Sequence, residues 1–307
     1  MTDTATLIEV GPRDGFQPEA KFIPTDLKLE IIEGLADAGL KRIQATSFVH
    51  PKYVPQMADA EEVCARLDRG KGVTYTGLAL NGKGVERAAA AGVTHIELSM
   101  SASDTHQRKN ARRSRTESIA AYRDMFALAR DKGLSVRSGV MCCFGCVDEG
   151  HVPPRQVLEI AELYAELGAD EITISDSTGM GHPKQVKALL GDLRKAVGDI
   201  PMVMHLHDTH GRGLANVVAS VEAGVTAFDT ALGGMGGCPF IEGATGNIPT
   251  EDTAELLHGL GLETGVDLHR VAPLSVRMEE FLGKPLSGKL YRLLVAGNAD
   301  TGLRAAS

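Results

Sequence analysis

The sequence predicts an α/β protein folded as a (β/α)8 TIM barrel with a short C-terminal helical appendage. Eight short, β-branched apolar runs alternate with longer stretches of helical periodicity, and the runs begin 22 to 40 residues apart. No Pro/Ser-rich linker divides them, and 307 residues suit one barrel. A doubly wound open sheet is the competing arrangement.

The strand-like runs are Leu7–Asp14, Arg42–Phe48, Val73–Leu80, His95–Ser101, Ser135–Phe144, Glu171–Asp176, Pro201–Asp208 and Ala227–Leu232. Helical spacing marks Thr25–Ala38, Thr116–Asp131, Pro154–Leu167 and Leu214–Ala223. Gly39, Gly92, Gly133, Gly168 and Gly224 stand where helix C-caps are expected. Residues 1–262 are read as the barrel. Residues 263–307 are read as an extension packed on it, with helices through Val271–Leu282 and Tyr291–Leu293.

Composition narrows the function. Hydrophobic residues make up 43%, with no Trp and 4% aromatics, so the core must be aliphatic. No apolar stretch is long enough to span a membrane. Met1–Thr6 resembles neither a secretory nor a transit leader. Five cysteines, an odd number, fit reduced thiols in a cytoplasmic protein. A net charge of −8 argues against nucleic-acid binding. Gly is abundant, 35 residues in all, and nine of them lie from Gly211 to Gly246.

Barrel chemistry gathers at the C-terminal ends of the strands. The first run ends in Arg13-Asp14, which is either a surface ion pair or a functional one. The seventh ends His205-Leu-His207, and residues i and i+2 of a strand share a face, so both imidazoles can meet one metal ion. Asp14 is the nearest carboxylate in kind to complete the pair. Mixed oxygen and nitrogen donors suit Mg²⁺ or Mn²⁺, with Zn²⁺ and Fe²⁺ as alternatives. The densest glycine cluster follows the eighth run and holds Cys238, as a lid carrying a thiol would. Cys142, Cys143 and Cys146 lack a second cysteine pair for a four-thiolate site and are read as core and loop residues of the fifth strand. Five Lys/Arg in eight positions from Arg108 to Arg115 form either a solvated loop or a landing site for phosphates.

Together these motifs resemble the 3-hydroxy-3-methylglutaryl-CoA lyase family of metal-dependent TIM-barrel enzymes. The resemblance rests on Val10-Gly-Pro-Arg-Asp-Gly-Phe-Gln17, Ala45-Thr-Ser-Phe-Val-His-Pro-Lys-Tyr-Val-Pro-Gln-Met57, His205-Leu-His-Asp-Thr209 and Gly236-Gly-Cys-Pro-Phe240 with Gly243-Ala-Thr-Gly-Asn247. It runs in order from Leu7 to Glu255. It implies metal ligation by Asp14, His205, His207 and Asn247, a catalytic Arg13 facing the thioester oxygen, and a proton-donating Cys238. His205 is a further candidate for the base, and Arg108, Lys109 and Asn110 for holding the phosphates of CoA. An acyl-CoA substrate and a homodimer are implied as well.

Two residues depart from the family's pattern. Gln44 stands where an acidic residue is expected, and Pro18 where Asn is favoured. Both point to a retuned pocket, so a related lyase for citramalyl-CoA or an isoprenoid-derived glutaryl-CoA is the alternative. A Claisen-condensing synthase is disfavoured by the Cys238 loop, and a non-catalytic acyl-CoA-binding barrel by the intact set of site residues.

Overall fold

The computed structural model describes residues 4–237 and 245–300. Eight parallel strands close into a barrel in sequence order, β1 Thr6–Glu9, β2 Arg42–Ser47, β3 Thr74–Ala79, β4 His95–Ser101, β5 Ser135–Met141, β6 Glu171–Asp176, β7 Met202–Leu206 and β8 Ala227–Thr230. The seam is closed by β1 against β8, with Thr6 opposite Ala227 and Glu9 opposite Thr230. This removes the open sheet as an alternative.

The helices are α1 Thr25–Asp37, α2 Ala60–Arg66, α3 Gly82–Ala90, α4 Asp104–Ala111, α5 Arg115–Asp131, α6 Pro154–Leu167, α7 Pro183–Val197, α8 Gly213–Glu222, α9 Thr250–Gly259, α10 Leu268–Leu282 and α11 Leu290–Asp300. Their apolar faces bury residues such as Leu35, Tyr122, Tyr164 and Leu193 against the strands. All five expected cap glycines take the left-handed backbone that ends a helix. The α10 helix lies on the barrel: Leu274 fills the space over Gly34 of α1, and Ser275 hydrogen-bonds Glu251 of α9. None of the described helices is long and apolar enough to cross a membrane.

Four local expectations are corrected. The first strand stops at Glu9, and Gly11–Gly15 forms a single π-helical turn instead of continuing as strand to Asp14. Pro12 has no N–H for the ladder, and the N–H groups of Arg13, Asp14 and Gly15 converge on the Val10 carbonyl. The fifth strand stops at Met141, because Cys142 turns the chain at φ 58°. Cys142, Cys143 and Cys146 are therefore loop residues, all buried, and no disulfide joins the described cysteines. The seventh strand ends at Leu206, so His207 lies just beyond it. The basic stretch begins as a helix, α4, because Ser103 caps the N–H of His106 at 3.1 Å and Asp104 supports Arg108 one turn on.

Candidate active site

The C-terminal rim of the barrel brings Asp14, His205 and His207 together, with one donor atom from each within 4.8 Å of the others. His205 comes from β7 and His207 from the residue after its end, and their Nε2 atoms are 3.1 Å apart. Asp14 Oδ2 lies 3.7 Å from His207 Nε2 and 4.0 Å from His205 Nε2. Asp14 arrives on the turn after β1. Its Gly11 packs closely, since an added Cβ would displace the ends of Leu232 and Glu9, 2.4 and 2.5 Å away.

Asn247 joins the same cluster. It forms a β-bridge with His207, and its Nδ2 donates to Asp14 Oδ2 at 2.8 Å and to the Met235 carbonyl at 3.1 Å. That leaves Asn247 Oδ1 buried without a protein donor. The close approach of Gly236 and Gly246 holds this arrangement. A Cβ on Gly246 would meet the Gly236 backbone at 2.5 Å. Cys238 lies outside the described residues.

The charges around the cluster are ordered. Burial works to raise the Asp14 pKa, but the Arg13 guanidinium and the two imidazoles hold it well below the ordinary carboxylate range. Burial disfavours charge on His205 too, yet its bond to Asp229 and the nearby Asp14 raise its pKa overall. His207 is shifted down by burial and by His205. Two imidazoles, one carboxylate and an orphaned amide oxygen form a donor set that fits a divalent cation.

Arg13 and Asp14 do form an ion pair, but a partly buried one, with Arg13 buried and Asp14 partly exposed, rather than a surface one. Arg13 Nε also donates to Gln44 Oε1, and Gln44 Nε2 donates to Glu97 Oε2 at 2.7 Å. Pro18 is exposed on the following turn. Arg108, Lys109 and Asn110 lie together on α4. Arg108 pairs with Asp104 at 2.7 Å and Lys109 with Asp148 at 2.6 Å, and both pairs are solvent-exposed.

Several groups that support the site or stand near it were not singled out by sequence. Asp229 of β8 accepts from His205 Nδ1 at 3.0 Å, and Arg137 of β5 donates to the same carboxylate oxygen. Asp176, the last residue of β6, is buried, and burial pushes its pKa up to about 6. A carboxylate ending a strand was the available signal for Asp176. Asp229 gave none, because only the register of β8 against β7, which sets it opposite His205, brings the two side chains together. A cavity of about 310 Å³ opens toward the opposite mouth, lined by Arg42, Glu97, Arg137 and Glu171, and contains none of Asp14, His205, His207 or Asn247 in its lining.

Comparison with known proteins agrees with this geometry. The family model described as HMGL-like matches residues 4–276. The chain is 40% identical over 271 residues to the rat cytoplasmic 3-hydroxy-3-methylglutaryl-CoA lyase, covering 88% of this chain and 79% of the relative. It is 38% identical over 284 residues to the bovine mitochondrial hydroxymethylglutaryl-CoA lyase, covering 92% and 87%. A solved HMG-CoA lyase from Acinetobacter baumannii, in complex with coenzyme A and 3-methylmalate, superposes with a TM-score of 0.90 at 37% identity, covering 99% of this chain and 97% of that one. With the barrel, the rim cluster and the sequence in agreement over nearly its whole length, the chain belongs to the HMGL-like family of carbon–carbon lyases.

Proposed function

We propose that this protein is a divalent-metal-dependent lyase that cleaves 3-hydroxy-3-methylglutaryl-CoA to acetyl-CoA and acetoacetate. The observation that carries this reading is the convergence of Asp14, His205, His207 and the unpaired Asn247 oxygen beside a buried Arg13. Those four residues would hold the ion, with Mg²⁺ or Mn²⁺ favoured by the mixed oxygen and nitrogen donor set and Zn²⁺ as the alternative. When bound, the ion supplies Lewis acidity that lowers the pKa of the substrate's tertiary hydroxyl.

The remaining work falls to the protein. A base takes the hydroxyl proton, the ketone forms as the C2–C3 bond breaks, and the electron pair moves onto the thioester. Arg13, held by Asp14 and Gln44, would stabilise the oxygen that gains charge. Cys238 is the proposed donor of the proton that completes acetyl-CoA. His205 is better suited to ligation than to the role of base. Its Nδ1 is committed to Asp229 and its Nε2 lies among the donor atoms.

Arg108, Lys109 and Asn110 are the proposed contacts for CoA phosphates. Exposed pairs such as Arg108–Asp104 are worth only about 0–1 kcal/mol, so a phosphate can displace the carboxylate. The family resemblance further supports a homodimer. Gln44 keeps a second reading in view, a lyase for another 3-hydroxy-3-alkyl-dicarboxylyl-CoA such as citramalyl-CoA.

The test is incubation of the Mg²⁺- or Mn²⁺-loaded protein with a panel of these thioesters. Acetyl-CoA release is expected, fastest from 3-hydroxy-3-methylglutaryl-CoA. A faster reaction with another member would reassign the substrate, and release from none would remove the lyase assignment.

A further inference from the structure

We infer that Gln44 and Glu97 form a coupled pair that positions Arg13, with the negative charge expected beside Arg13 moved one residue outward. The inference rests on the reading of Arg13 given above and adds two residues to it.

The orientation of the Gln44 amide is dictated from both sides. Arg13 has only donors, so Gln44 must turn its oxygen toward Arg13 Nε. The amide nitrogen then faces Glu97, whose Oε2 accepts at 2.7 Å. Glu97 is itself held in place. Ser99 Oγ donates to its Oε1 at 3.0 Å, and Arg137 Nε lies 3.7 Å from Oε2. Gly139 on the neighbouring strand makes room for this group, because a Cβ there would come within 2.3 Å of Ser99 Oγ and 3.1 Å of Glu97 Oε1. Gln44 is fully buried and Glu97 nearly so, which leaves the amide no alternative partner in solvent.

The two side chains are thus mutually dependent. A carboxylate at position 44 would still suit Arg13, but it would stand against Glu97 at 2.7 Å, where two like charges repel. Conversely, only an acceptor at position 97 keeps the amide oxygen on Arg13. Gln44 and Glu97 are positioning residues, since they act through the guanidinium and not on the substrate.

The experiment is a double-variant cycle with Gln44→Glu, Glu97→Gln and the two combined, assayed with Mn²⁺ and 3-hydroxy-3-methylglutaryl-CoA. Gln44→Glu is expected to lower kcat by about tenfold to a hundredfold, as misplacement of a catalytic group does, with KM and Mn²⁺ affinity little changed. Glu97→Gln should lose less. The combined variant should regain most of the wild-type kcat, because the charge is then back beside Arg13. A Gln44→Glu protein with wild-type kcat, or a combined variant no better than the single one, would overturn the pair. If Gln44→Glu does not fold, Gln44→Met keeps the length and removes both hydrogen bonds. It should lose kcat similarly, and wild-type kcat from it would also overturn the inference. A wild-type protein that releases no acetyl-CoA would instead sink the lyase reading. The coupling is then read from thermal midpoints, where rescue by the combined variant supports it and additive losses refute it.

Discussion

Asp229 Oδ2 lies 3.0 Å from Nδ1 of His205, and this one contact decides what His205 can do. With Nδ1 turned to a buried carboxylate, Nε2 is left toward His207 and Asp14. Arg137 donates to the same carboxylate oxygen, and its charge, with the Asp229–His205 bond, offsets the burial that would otherwise raise the Asp229 pKa. Imidazoles that bind metals are oriented in this way by a carboxylate on the opposite nitrogen.

Replacing that carboxylate by an amide should weaken the site without emptying it of ligands. Asp229→Asn is expected to lower Mn²⁺ affinity by about 10- to 100-fold, measured by titration calorimetry on the folded variant. Unchanged affinity would separate Asp229 from metal binding. The variant should also melt earlier, because Arg137 then keeps a buried charge with one partner fewer.

Glu9 gives a prediction about pH and stability. Burial pushes its pKa up to about 8 from an ordinary 4.5, despite bonds from Thr250 and from the backbone of Leu232 and Gly11. The folded protein therefore keeps a proton on Glu9 that the unfolded chain releases above pH 4.5. The stability this contributes is complete below that pH and is lost as pH rises toward 8. Glu9→Gln should flatten the fall in unfolding free energy between pH 5 and pH 8, read from urea midpoints. A slope equal to that of the wild type would contradict a buried, protonated Glu9. Glu251, also raised by burial, accounts for the residual slope.

The phosphate contacts proposed for α4 should be separable from the chemistry. Removing both charges with Arg108→Ala and Lys109→Ala should raise KM for the CoA thioester and reduce its salt dependence. The value of kcat and the affinity for Mn²⁺ should stay near wild type, because the ion cluster contains neither residue. A fall in kcat at constant KM would place these residues elsewhere in the reaction.

The order of βα units, the Arg13-Asp14 pair and the His205/His207 pair were all legible in the sequence. They depend on local rules: apolar periodicity, the two-residue repeat of a strand, and turns that glycine and proline enforce. The π-helical turn at Gly11–Gly15 was not legible, because its apolar lead-in matches a strand and only the converging N–H groups end it. Nor was the α4 helix, whose residues are polar up to Ala111 and whose start is set by the Ser103 cap.

The supporting groups were decided by tertiary structure. Asn247 meets Asp14 across 233 positions of sequence, Asp229 meets Arg137 across 92, and Gln44 meets Glu97 across 53. Closure of eight strands in fixed register brings such residues within bonding distance, and no local pattern encodes that register. The departure at Gln44 shows the difference plainly. By sequence it reads as a missing charge near the site; in the folded barrel a buried carboxylate lies directly behind it, on Glu97. The sequence therefore determined which groups can do the chemistry, and the closed barrel decided which partners hold them, because burial leaves each polar atom only the neighbours that strand register provides.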